Sequence, residues 1–116
     1  PSTPQGPAIN PEIVQDLREI MGAEFSSLVN VFLEDAPRSL ARLAASAATS
    51  DIDALVAPAH SLKSTSANLG AMELSAMAKH IEHSARQHNL PDAVQRVTEL
   101  ANEFKRAESA LRAMVG

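Results

Sequence analysis

The chain has 116 residues, 45% hydrophobic and 21% charged, with a formal net charge of −4, no Cys, no Trp, no Tyr and three Phe. This suits one soluble domain with a single shared core, excludes disulfides and thiolate metal sites, and fits a reducing compartment. It lacks the basic field and stacking rings of nucleic-acid binders, an apolar run near the ~20 residues of a membrane span, and the regions of a signal peptide, so protein partners are expected.

Residues 1–8, PSTPQGPA, are Pro-rich without apolar periodicity and read as an extended linker, with the domain over 9–116. The lack of an initiator Met carries the expectation that more protein lies upstream. Asn10 can N-cap a short helix that begins at Pro11, carries Glu12 in its first turn and stops at Gly22. Its apolar side is Ile13, Val14, Leu17 and Ile20. A long helix follows from about 23 to 48, with a stripe of Phe25, Leu28, Phe32, Leu40, Leu43 and Ala47. Pro37 lies inside it and should remove one backbone bond and bend it.

The third helix is expected to begin at TSDID, where Ser50 and Asp53 have capping-box spacing, and to end at Gly70. Its stripe is Ile52, Leu55, Ala59, Leu62, Ser66 and Leu69. A fourth helix runs from about 72 to 88, burying Leu74, Met77, Ala78, Ile81 and Ala85. After the NLP break a fifth starts at Pro91, burying Val94, Val97, Ala101, Phe104, Leu111 and Val115. No segment alternates as a strand would. The fold class is therefore all-α: an antiparallel up-down four-helix bundle with a short additional N-terminal helix laid across one end.

One stretch, AHSLKSTSANLGA at 59–71, places a histidine on the third helix. At ~100° per residue, His60 points about 130° from the centre of the apolar stripe and faces solvent. Asp53, Val56, Ser64 and Ala67 share that face, and Lys63 lies between it and the core. By position alone this is an ordinary surface histidine. Chemistry offers a second reading: an imidazole, with an ordinary pKa of about 6.5, is substantially neutral near pH 7 and can attack an activated phosphoryl group. Lys63, at i+3, could offset the charge of about −2 that such a group brings. Ser64 and Ala67 are small enough to leave the ring open to another protein's loop.

These residues carry a resemblance. AHSLKSTSANLGA is similar to the signature of histidine-containing phosphotransfer (HPt) domains, approximately A-H-x-L-K-G/S-x-x-x-x-L-G. The likeness spans about 9–115, taking in FLEDAPRSLARL at 32–43, the turn at Asp51 and LSAMAKHIEHSAR at 74–86. It implies that His60 is the phosphoacceptor, Lys63 the phosphate-orienting cation and Gly70 the helix stop. Ser64 replaces the frequent Gly at i+4, where its small hydroxyl can donate to phosphate, and Ala67 keeps the approach open. Glu82 falls where the family carries Glu or Gln near the histidine; a solvated Glu is the alternative. Pro58, two residues before His60, is a departure that could kink the helix and re-aim the ring.

The resemblance also implies a phosphocarrier that takes phosphate from one receiver-domain aspartate and passes it to another. The four Gly are scattered, and no ATP site is evident. The partners would be response-regulator receiver domains, which supply Mg²⁺, with no cofactor in this chain. The domain would be a cytoplasmic monomer, the C-terminal module of a bacterial hybrid sensor histidine kinase anchored upstream in the inner membrane. Ile13, Val14 and Leu17 are candidates both for docking and for core. His80 and His83 at i, i+3, with His88 beyond, read as a solvated face rather than a metal site. The competing functional class is a helical docking module that binds a regulatory partner without accepting phosphate.

Overall fold

The computed structural model describes residues 8–115. Residues 1–7 of the expected linker and Gly116 lie outside that range; Ala8, its eighth residue, is buried together with Ile9. Among the described residues there are five α-helices, α1 (Pro11–Met21), α2 (Glu24–Ala48), α3 (Val56–Asn68), α4 (Met72–Arg86) and α5 (Ala93–Val115), with one 3₁₀ turn at Asp53–Leu55. Helix α2 packs against α3 and α5, and α4 packs against the same two, so the four long helices close a ring around one core. Helix α1 rests on α2.

Local sequence fixes the start and stop of α1. Asn10 is extended, and its Oδ1 accepts the N–H groups of Glu12 and Ile13 at 2.9 and 3.3 Å. These are two of the orphan donors that every helix start presents. Gly22 closes the helix at φ +58, donating its N–H to the Arg18 carbonyl. Only Val14 is fully buried, whereas Ile20 is 81% exposed. Val14 is therefore core rather than docking surface, with Ile13 and Leu17 half-buried beside it.

Helix α2 continues through Pro37 without interruption. Phe25, Val29, Phe32, Leu33, Ala36, Leu43 and Ala47 are its buried side, and the Phe32 ring meets Phe104 of α5 at a centroid distance of 5.8 Å. Leu28 and Leu40 are only partly buried.

The beginning of the third helix differs from expectation. Ser50 and Asp53 form no capping box. Ser50 instead takes φ +58 and ends α2, while its N–H reaches the Ala47 carbonyl and that of Asp51 reaches Ser46. This pair of bonds is a Schellman closure with serine in the left-handed position that glycine usually holds. The same closure ends α3 at Gly70 and α4 at His88, which stands at φ +54. Because α3 starts only at Val56, Pro58 falls in its first turn, where backbone N–H groups have no intrahelical partner. The proline therefore fits without breaking the helix ahead of His60.

Gly70 is required twice. Its φ of +76 is costly for any side chain, and a Cβ there would lie 3.1 Å from Cγ2 of Ile13. Its carbonyl accepts the Asn10 N–H at 2.7 Å, tying the start of α1 to the α3–α4 turn. Gly70→Ala is expected to lower the unfolding free energy by at least about 1 kcal/mol, read from the urea midpoint.

In α5 the buried face is Ala93, Val97, Leu100, Phe104, Ala107 and Leu111; Val97, Phe104 and Leu111 are as expected, Ala101 and Val115 are half-buried, and Val94 is exposed. That face also includes Glu103, 2% exposed. Its Oε1 accepts from Arg106 at 2.7 Å, whereas Oε2 is buried without a hydrogen-bond partner. Desolvation raises its pKa; the Arg106 partner opposes this, and the charge of Glu73 adds to it. A raised native pKa stabilises the fold below the unfolded value and loses that contribution as pH rises through the native one. Glu103→Gln is accordingly expected to lose less stability than the native protein between pH 4.5 and pH 7, measured by urea unfolding at the two pH values.

Candidate functional site

Helices α3 and α4 form a hairpin across the short turn at Leu69–Ala71, which brings the second turn of α3 alongside the end of α4. The hydroxyl of Ser75 on α4 pins the pair by donating to the Lys63 carbonyl at 2.9 Å. In this frame His60 lies on the outer face with 56% of its side chain exposed. Lys63, one turn further on, is half-buried between that face and the core.

Glu82 of α4 lies between them and is only 5% exposed. Its Oε1 takes the Lys63 Nζ at 2.6 Å, and its Oε2 takes His60 Nδ1 at 2.8 Å. Arg86, one turn along α4, donates to the same Oε2 through Nε at 3.3 Å and Nη2 at 2.9 Å. The Lys63 hydrogen bond outweighs the upward push of burial and, aided by Arg86 and His60, holds the carboxyl's pKa at about 2. Glu82 is therefore an ionised carboxylate at every physiological pH, with both oxygens occupied.

An ionised carboxylate can only accept, so Nδ1 of His60 carries the hydrogen in this pair. In the neutral ring the lone pair is then on Nε2, the nitrogen that Glu82 does not hold. The arrangement selects a tautomer, fixes the ring plane and keeps a cation within one helical turn.

His60, Lys63 and Glu82 thus converge. Ser64 is exposed one turn past His60 and Ala67 half-buried beyond it, on the approach to the ring, while Gly70 belongs to the turn. Arg86 is the member of this cluster that the sequence did not single out, although its i+4 distance from Glu82 on one helix face was a usable signal. His80 and His83 are exposed, and His88 pairs instead with Asp53 at 3.0 Å. Among the described residues no group of three His, Asp or Glu could hold a metal ion, and no helix is long and apolar enough to cross a membrane.

The Hpt domain family matches residues 27–110, and the chain belongs to that family. It is similar to the crystal structure of histidine-containing phosphotransfer protein B (HptB) from Pseudomonas aeruginosa, with 29% identity, a TM-score of 0.88 and coverage of 95% of this chain and 96% of that one. No curated protein matches by sequence. The function of the chain is histidine phosphotransfer in a phosphorelay, as a phosphocarrier and not itself a kinase, and domains of this family interact with receiver domains.

The Glu82 cluster predicts an acid limit. A carboxyl depressed from 4.5 to about 2 contributes stability above its unfolded value and loses it as pH falls through that window. Native stability is expected to decline between pH 4.5 and 2 more steeply than that of Glu82→Gln, as followed by helical circular dichroism in urea.

Proposed function

We propose that His60 is the residue that carries phosphate, accepting it on Nε2 from the phosphoaspartate of one receiver domain and giving it to the aspartate of another. The observation that carries this reading is the 2.8 Å contact between Nδ1 and the buried Glu82 on an otherwise exposed ring. It leaves Nε2 as the nucleophile and aims it outward. Lys63, already at the site, orients the incoming phosphoryl group, and Ser64 can donate a hydrogen bond to it. Ala67 keeps the path clear, and Gly70 sets where the helix ends.

The reaction asks little else of this chain. Phosphoryl transfer depends on in-line positioning and charge stabilisation, and the receiver partner brings both the phosphoaspartate and its Mg²⁺. The domain works by this reading as a cytoplasmic monomer without a cofactor of its own. The Pro-rich composition of residues 1–7 supports a place within a bacterial hybrid sensor histidine kinase whose membrane anchor lies elsewhere in the protein.

Incubation with a panel of phosphorylated receiver domains and Mg²⁺, followed by intact mass before and after acid, tests the assignment. The native chain is expected to gain one acid-labile phosphate, and His60→Gln none. Binding of a receiver without transfer to the native chain would favour the docking-module function.

A further inference from the structure

Once Nε2 bears phosphate, the state of the other ring nitrogen decides how readily the phosphate leaves. On transfer the Nε2 lone pair forms the N–P bond, the acyl P–O bond of the donor breaks, and its electrons leave with the aspartate carboxylate. The proton on Nδ1 takes no part, so the first product is a ring that carries both the phosphoryl group and a positive charge. If Nδ1 keeps its proton, the N–P electrons can return to Nε2 and the ring leaves as neutral imidazole. If Nδ1 loses it, departure must produce an imidazolate, a far poorer leaving group.

The structure puts an ionised carboxylate against that proton. Glu82 Oε2 is 2.8 Å from Nδ1, in a buried position that bulk water screens poorly. An adjacent anion favours the protonated ring. The charged groups acting on Glu82 are Lys63 and His60 from α3 and Arg86 from its own helix. The two permanent cations exceed the one carboxylate, leaving a net positive charge to receive the phosphoryl dianion, so Glu82 can remain ionised beside it.

We propose that Glu82 keeps the phosphorylated His60 ring protonated at Nδ1 through neutral and mildly alkaline pH, making this domain a rapid relay and not a phosphate store. This rests on the assignment of His60 above. Glu82 acts through the ring, as a positioning residue, and sets both the rate of onward transfer and the rate of loss to water. In the latter, water attacks phosphorus, the N–P electrons return to Nε2, and inorganic phosphate is released with water's surplus proton passing to solvent. An amide at position 82 could still accept from Nδ1–H but would not hold the proton by charge.

The test uses phosphoramidate, a small donor that needs no receiver, to load the native chain, Glu82→Gln and His60→Asn. Loss of phosphate is followed by intact mass from pH 6 to pH 9. The native phosphoprotein is expected to keep a fast, nearly flat rate to about pH 8, whereas the Glu82→Gln rate falls from a lower pH. A displacement of about one pH unit lengthens the variant's half-life by a factor that approaches roughly tenfold at pH 9, above both apparent values. Coincident pH profiles would overturn the role of Glu82 and leave that of His60 standing. Absence of phosphate on the native chain, or equal loading of His60→Asn, would overturn both. A long-range nitrogen–proton NMR correlation on the native phosphoprotein reads the ring independently of any variant: Nδ1 protonated at pH 8 supports the proposal, and deprotonation near pH 7 refutes it.

Discussion

Glu82 shares its two carboxylate oxygens among three donor side chains from two helices, and the geometry of the His60 face depends on that sharing. A charge buried alone costs several kcal/mol, and partners that satisfy the carboxylate oxygens offset that cost. Lys63, His60 and Arg86 do so together, and each is partly exposed, which keeps their own desolvation small. The energetic consequence is coupling. Removing one donor changes the value of the other two, so effects of substitution at these four positions should be read as a network and not residue by residue.

The frame around that carboxylate is built from local signals at the helix ends. Asn10, Gly22 and Gly70 act within a few residues of where they stand, by capping or by adopting positive φ, and these were legible in the sequence. The Ser50–Asp53 spacing was misleading because the preceding helix claims Ser50 for its own closure, and spacing alone does not say which of two neighbouring helices a polar residue serves. The stripes of α1 and α5 were legible at Val14, Val97, Phe104 and Leu111 and failed at one residue in each helix. Ile20 and Val94 are apolar and in phase, yet each helix is covered on one side only, and which side is decided by packing partners distant in sequence.

The site was readable to a similar depth. His60 and Lys63 follow from the motif and from helical phase. Glu82 could be placed near them, but its burial could not, since a carboxylate at the flank of a stripe is ordinarily solvated. What makes burial tolerable is the set of three donors, and that set exists only after α3 and α4 are side by side. Glu103 is a stronger case: a glutamate among Leu100, Phe104 and Ala107, buried with one oxygen unpartnered, against every compositional expectation.

All four side chains of the Glu82 cluster belong to the single α3–α4 hairpin, between residues 60 and 86. Bringing His60 to Glu82 closes a short loop whose interior is already helical, so the entropy lost in assembling the site is modest. After a partial opening of the bundle, His60 can recover its geometry when this hairpin reforms, on the microsecond scale of local helical contacts, without waiting for α1 to dock. Chemical competence is thereby separated in time from completion of the fold.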